Sequence, residues 1–508
     1  MDIFLSPGRW SALLRRHVTP YRLLLALGLI FYALFLGRFM GGFATGADQS
    51  GYLNLARLLG TGRVSTAMRS IPELRQDQVP LFTYVPLGFN PNPDHLTLNP
   101  VYPPGLPMLI MAVAQVAGWN AAPGLVMAVH ALVGLCLTYA LGRTVGLQAG
   151  WAWLGALLLA ACPLYVFSSL QTMSDLPAMV WVAAAILCAW KSRQKTWLAL
   201  AAGVALSVGV LVRPTNLLAI LPVAIALGYS WRRWVALIVG GLPGAVFQGA
   251  FNLAAYGHLV ASGYGGLDAL FSYSNVPVNL VHYAVWLPVL LTPAGLLSFA
   301  LPLLRRHRPL PFAWLATWAL VFPVFYLFYT ATHDGWGALR FLLPVFPALM
   351  VAGLLVGREL CARIKIAPRS WWLAPTAIAV LVNGAFWSHE LHVFTIGRSE
   401  RAYPQMAVWL TDHLPPNAVI TTMQPSGAVF YYTFFPIVRW DTITPADFQR
   451  IAAGCAAAGR PLFAVLHQDE INDAQWAAFS KHLRGRWTQI GVVRYLSIWR
   501  YDSSAAAP

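Results

Sequence analysis

Charge is what this chain has least of. Only 10% of its 508 residues are Asp, Glu, Lys or Arg and 18 are acidic, whereas 58% are hydrophobic. That balance excludes a string of soluble domains, which a chain of this length would otherwise imply. Cysteine is scarce too. Of the five, Cys136, Cys162 and Cys188 lie inside apolar runs, Cys361 falls in a basic inside loop and only Cys455 is expected on the outer side. No disulfide framework or thiolate metal site follows from that pattern. His95, His258, His282 and His333 have no ligand spacing, so neither a metal nor another cofactor is expected. Internal repeats and long low-complexity tracts are absent from the sequence as well.

What the chain has is a succession of apolar runs of about membrane-spanning length, ~20 residues each. They lie near 21–39, 104–118, 123–142, 150–168, 176–190, 197–212, 215–229, 234–255, 281–303, 312–330, 340–357 and 371–386. The long first run behind a basic flank reads as an uncleaved signal anchor. From about Trp387 onward charges are mixed and apolar residues come in short bursts. The expected organisation is a membrane domain over 1–386 and a small soluble α/β domain over 387–508.

The net charge of +16 does not imply nucleic acid, because the basic residues gather in short inter-helix loops. These are Arg9, Arg15, Arg16 and Arg22; Arg143; Lys191, Arg193 and Lys195; Arg232 and Arg233; Arg305, Arg306 and Arg308; and Arg358, Arg363, Lys365 and Arg369. Every cluster falls on the inner face if the run 104–118 does not fully cross. That run opens with Tyr102-Pro103-Pro104-Gly105-Leu106-Pro107, a poor start for a buried helix, and reads as interfacial or re-entrant. Eleven crossings result, with the N-terminus inside and the C-terminal domain outside. Of the acids only Asp2 and Glu359 are then internal. Nine belong to the C-terminal domain, and Asp48, Glu73, Asp77, Asp94, Asp175, Asp268 and Asp334 sit in outer loops or helix mouths.

The outer loop 40–104 is too long for a mere connection. Its segment Leu53-Asn54-Leu55-Ala56-Arg57-Leu58-Leu59 suits a helix lying in the interface, and Phe89-Asn90-Pro91-Asn92-Pro93-Asp94-His95 is turn-rich. Gly263, Gly265 and Gly266 among Tyr256, Tyr264 and Tyr273 fit either a mobile lid or a plain linker. In the C-terminal part, strands are expected at 418–421, 428–432, 462–466 and 492–498, and helices near 404–413, 447–458 and 474–483. The end, 503–508, reads as frayed.

Several outer-face patterns occur in a telling order: Asp48-Gln49-Ser50-Gly51-Tyr52, Tyr102-Pro103-Pro104-Gly105, Ser174-Asp175-Leu176-Pro177, Val212-Arg213-Pro214 and Gly335-Trp336-Gly337-Ala338-Leu339-Arg340-Phe341-Leu342-Leu343-Pro344. Together they resemble the GT-C superfamily of integral-membrane glycosyltransferases, in the branch of protein O-mannosyltransferases and aminoarabinose transferases. The resemblance implies inverting transfer of a sugar from a polyprenyl-phosphate-linked donor to a lipid, glycan or protein acceptor, at the outer face of a cytoplasmic membrane. It implies Asp48 as catalytic base, Asp175 as a shaping acid and Arg340 as a donor-phosphate ligand. Arg213 and His333 are placed to help bind phosphate, and Tyr52, Tyr84, Tyr102, His95 and Asp334 to meet sugar or acceptor. Many relatives carry Asp-Glu after the first helix; here Gln49 follows Asp48, which weakens the case for a divalent metal. Simpler roles compete. Asp48 and Asp175 would also serve as helix caps, and Arg340 as a snorkelling cation. A transporter and a non-catalytic envelope assembly protein are the rival classes, although transporters put ionisable groups at the midplane and show inverted repeats.

Reporter fusions after Arg143, Lys195 and Arg233 are expected to read inside, and fusions near Asp94, Asp175 and Asp334 outside. A fusion after Gly118 that reads inside would refute this topology, since Asp48 and Asp175 could not then share one face.

Overall fold

The structure, a computed structural model, describes residues 20–74, 78–266, 270–304, 309–365, 372–481 and 487–502. Asp2, Asp77, Asp268, Arg9, Arg15, Arg16, Arg305, Arg306, Arg308, Arg369 and the 503–508 end lie outside them.

The membrane part is helical. In order it contains α1 (Pro20–Phe39), α2 (Ala47–Gly60), α3 (Gly105–Ala117), α4 (Ala122–Thr144), α5 (Ala149–Ala160), α6 (Pro163–Ser169), α7 (Asp175–Lys191) and α8 (Trp197–Val212). After these come α9 (Ile220–Leu227), α10 (Trp231–Tyr256), α11 (Asn275–Leu296), α12 (Pro309–Tyr326), a 3-10 segment Trp336–Val345 running into α13 (Phe346–Arg363), and α14 (Leu373–Glu390). Five stretches among the described residues are long and apolar enough to cross a bilayer unaided: α1, α4, α10, the first part of α11 and the Trp336–Arg363 run. The α5–α6 pair makes a sixth if its 65° bend is one broken span. The protein is therefore a multi-pass membrane protein, although several apolar runs are shorter or more broken than the eleven crossings supposed. Proline accounts for part of this: Pro163 opens α6 just after the bend, and Pro214 opens the 3-10 turn after α8. A proline removes a backbone donor and clashes with the preceding turn. The run at 104–118 becomes α3, 13 residues long, which at ~1.5 Å per residue is well short of a ~30 Å hydrocarbon core.

Close backbone packing holds the span helices together. At Gly203 on α8 a Cβ would strike the Leu237 carbonyl of α10, and at Gly240 on α10 it would strike the Leu200 carbonyl of α8. Without a hydrophobic drive between helices in lipid, such small-residue seams supply the contact.

The C-terminal domain, expected on the outer face and labelled the outer domain for that expectation, follows α14. It has α15 (Ile396–Glu400), α16 (Ala402–His413), β4 (Val419–Thr421), α17 (Ser426–Tyr432), β5 (Ile437–Val438), α18 (Pro445–Ala457), β6 (Leu462–His467), α19 (Gln468–Ile471), α20 (Ala474–Lys481), β7 (Trp487–Val493) and β8 (Leu496–Tyr501). The preceding strands β1 (Thr66–Ala67), β2 (Phe89–Pro91) and β3 (Thr97–Pro100) belong to the 40–104 loop and form a small antiparallel sheet. The main sheet runs β5-β4-β6-β8-β7, parallel across β5, β4 and β6 and antiparallel from β6 through β8 to β7.

Two expected strands are something else. Residues 428–432 are helical, in α17, because a short apolar run buried on every side carries no period to tell strand from helix. The run 492–498 is a hairpin pairing Val493 with Leu496. Arg494 turns it with φ of 59°, held by bonds from its guanidinium to Gln405 Oε1 (2.8 Å) and the Arg398 carbonyl (3.1 Å).

The 40–104 loop is also more than a cover. Val85, Phe89 and Leu98 join Met406, Leu410, Ile420, Phe430 and Ile498 in one outer core, and Ile71, Leu74 and Tyr84 join Trp440, Phe448 and Leu466 in another. Residues Gln49 to Ala56 of α2 are all buried, so this helix is roofed by the outer domain rather than laid open on lipid.

Candidate functional site

Four charged side chains meet where α2, α7, the Arg213 corner and the Trp336–Val345 segment converge. Asp48 is the second residue of α2, after the Gly46 cap, and its side chain makes no capping bond. Its carboxylate instead accepts from Tyr102 Oη at 2.7 Å through Oδ1 and from Arg340 Nη2 at 2.7 Å through Oδ2. Asp175 opens α7 without capping it. Its Oδ1 is 2.7 Å from Arg213 Nη2 and its Oδ2 3.7 Å from Arg340 Nε. The Asp175 side chain is fully buried, whereas those of Asp48 and Arg340 are 32% and 25% exposed. Although the Arg213 contact is short, it lacks hydrogen-bond alignment. Both Asp175 oxygens are thus without an aligned donor among the described residues. Arg340 is held inward by two acids rather than extended toward headgroups.

Aromatic rings shape the surroundings. Phe341 lies under both guanidinium groups, 5.2 Å from that of Arg213 and 5.4 Å from that of Arg340. Tyr52 packs on Tyr102 with centroids 4.7 Å apart and donates to Ser174 Oγ at 2.8 Å. Ser174 also accepts from Arg213 Nη2 at 3.0 Å. Burial, reinforced by the Asp48 carboxylate, pushes the Tyr102 phenol well above its ordinary range, so it stays a donor to Asp48 at any working pH. Tyr264, from the glycine-rich loop, meets Tyr102 edge-on at 6.1 Å. Asn90 donates to the Gly263 carbonyl at 2.6 Å, which ties that loop to the outer hairpin.

A cavity of about 410 Å³ opens beside Arg340, lined by Phe167, Ala331, Asp334, Gly335, Gly337 and Phe341 among others. Asp334 therefore shares a cavity with Arg340. His333 is not in its lining; its Nδ1 faces Asn279 Oδ1 at 2.9 Å. Two further expectations fall elsewhere. Tyr84 is buried in the outer core with Ile71 and Trp440. His95 sits on the β2–β3 turn with φ of 56°, where Asp94 accepts from the Leu96 and Thr97 amides at 2.8 and 2.9 Å. The later half of their loop folds into the C-terminal domain, away from the cluster. Ser174 and Phe341 were missed as separate contributors, although each adjoins a singled-out charge. Among the described residues no three His, Cys, Asp or Glu side chains converge as a metal-ligand set.

A family model for dolichyl-phosphate-mannose-protein mannosyltransferases matches residues 116–243. The structure is similar to ArnT from Cupriavidus metallidurans bound to undecaprenyl phosphate, at 14% identity and a TM-score of 0.55, over 97% of this chain and 100% of that one. The chain has the GT-C fold. It is also similar to the apo oligosaccharyltransferase of Archaeoglobus fulgidus, at 11% identity and a TM-score of 0.50, over 92% of this chain and 73% of that one. No curated protein sequence matches. Within this fold, the four-charge cluster stands where the 40–104 loop and the C-terminal domain close over the helices.

Asp175→Ala leaves Arg213 buried beside Ser174 with no counter-charge, and removing one partner of a buried pair costs about 3–5 kcal/mol. Thermal melting of the detergent-solubilised protein should fall accordingly. The double change Asp175→Leu with Arg213→Met should recover much of the loss.

Proposed function

We propose that this protein is an inverting glycosyltransferase that moves a sugar from a polyprenyl-phosphate-linked donor to an acceptor hydroxyl at the outer face of a cytoplasmic membrane. The observation that carries the reading is the pairing of a partly exposed carboxylate, Asp48, with an arginine that also lines a cavity. The GT-C fold supports it, as does the undecaprenyl phosphate held by the structurally similar ArnT.

The chemistry needs a base on one side and a receiver of negative charge on the other. Asp48 takes the proton of the acceptor hydroxyl as its oxygen attacks the anomeric carbon. The carbon–oxygen bond to the phosphate breaks with its electron pair passing to the phosphate, so the configuration inverts. Arg340, with Arg213 behind it, receives that charge; a planar guanidinium holds two phosphate oxygens at once. Tyr102 fixes the rotamer of Asp48, and Asp175 holds both arginines in place. Positive charge from the arginines serves the departing phosphate without a divalent metal. In this reading the basic loops are cytoplasmic, the C-terminal domain is outside, and Tyr52, Tyr102 and Asp334 line the path of sugar or acceptor.

Asp48→Asn should reduce transfer by about 10²–10⁴-fold with melting close to wild type, measured with a synthetic polyprenyl-phosphate sugar. Retention of a tenth or more of the rate refutes Asp48 as base.

Arg340→Lys should raise the KM for donor and lower kcat despite the conserved charge, because an ammonium cannot reproduce a two-point phosphate contact. Unchanged donor kinetics would return Arg340 to a purely structural role.

A further inference from the structure

Immediately beside Asp48, Gln49 points away from the cluster to a different buried acid. Its Nε2 donates to Glu400 Oε1 and, at 3.3 Å, to Gln171 Oε1. Glu400 ends α15, the first helix of the outer domain, and is only 7% exposed. The Gly42 amide also faces its carboxyl. Its other oxygen, Oε2, has no hydrogen-bond partner among the described residues and lies against Gly41, where a Cβ would collide with it. The seat is built closely. A Cβ at Gly397 would strike the Phe39 carbonyl, so α15 rests directly on the chain leaving α1.

We propose that Glu400 is a positioning residue for Asp48, a buried acid whose hydrogen bond from Gln49 sets the rotation of the first turn of α2. The proposal rests on the reading of Asp48 as base. Adjacent side chains of one turn are anchored to different bodies, Asp48 to Arg340 and Tyr102 and Gln49 to Glu400, so the turn can neither roll nor translate. Gln171 lies four residues before Asp175, which brings the second acid-bearing segment to the same anchor. The pairing also accounts for the glutamine at 49. A second carboxyl at 49 would have to bury its own charge in that space, whereas an amide donates to Glu400 with no charge to desolvate.

No cation forms an ion pair with Glu400 among the described residues. The titratable groups facing it are Tyr403 from α16, Tyr495 from the β7–β8 turn and Tyr432 at the end of α17. Burial pushes its carboxyl up to about 8, against the hydrogen bond from Gln49 and the Gly42 amide. Ionisation puts an unpaired charge in the seat and loosens α15, so positioning is lost as pH rises through that value.

The test is transfer kinetics of the full chain with a synthetic polyprenyl-phosphate sugar between pH 6 and 9.5, alongside melting over the same range. Wild type should lose kcat on the alkaline side, about tenfold per pH unit beyond the pKa, with little change in donor KM. Glu400→Gln should lack that limb. Gln49→Glu should lower kcat about tenfold or more, and Gln49→Glu with Glu400→Gln should recover it by restoring one acid and one amide. In melting, wild type should lose stability relative to Glu400→Gln as pH rises towards 8. The native carboxyl keeps its proton above the pH at which the unfolded one releases it, and the difference levels off once both are ionised. An alkaline limb unchanged in Glu400→Gln, or a double variant no better than Gln49→Glu, overturns the proposal. So does a pH-dependent melting difference with no rate counterpart, which marks a structural role alone. Wild-type protein inactive at every pH would instead count against the transferase reading itself.

Discussion

Two carboxylates and two guanidinium groups, packed together where the helices meet the C-terminal domain, constrain the rest of this molecule. Taking the inner pair out of water costs several kcal/mol per ion, and mutual attraction repays this only when the geometry is close. Here the set is neutral overall. Asp48 and Arg340 form the outer, partly exposed pair, and Asp175 and Arg213 the inner one, bridged by the longer Arg340–Asp175 contact. Each member comes from a different element, so the four segments must be held in mutual register. A one-turn displacement of any of them would leave a buried charge alone.

Much of that register comes from outside the membrane. The outer domain does not merely follow the spans but grips the chain that carries Asp48. Tyr432 Oη accepts from the Ala44 amide at 2.8 Å, Asn54 donates to the Gly427 carbonyl at 3.2 Å, and Arg57 donates to the Tyr431 carbonyl at 2.8 Å while stacking on the Tyr431 ring. Gly427 approaches Ser50 so closely that a Cβ there would collide with its hydroxyl. Together with Glu400, these contacts make α2 a shared element, packed on α3 below and the outer domain above. A helix clamped on both faces is a more exact carrier for a reactive carboxylate than a free loop, since positional errors of about 1 Å are costly in catalysis.

How far this was legible in the sequence depended on whether the signal was local. The helical membrane class followed from apolar runs and scarce charge. The short α3 followed from its prolines, and Asp48, Asp175, Arg213 and Arg340 stood out through the motifs that carry the family resemblance. Tyr84 and His95 lie apart from the charge cluster, because residue type in a loop says nothing about which face of the folded loop a side chain occupies. The strand expected at 428–432 and the single strand expected at 492–498 failed similarly, since short apolar bursts carry too little periodicity and the Arg494 turn is held by contacts distant in sequence.

The sequence by itself determined the helical, multi-pass membrane class, because transfer free energies act residue by residue and long apolar runs need no partner to be read. Only the tertiary structure decided which charges pair. Asp48 meets Arg340 across 292 positions and Gln49 meets Glu400 across 351, separations over which no local pattern carries information. Those pairings depend on where helices of different length, bent by proline and seamed by glycine, bring their ends together. That depends on the packing of the whole chain, because each buried polar group is stable only where every neighbouring element has already left it a partner.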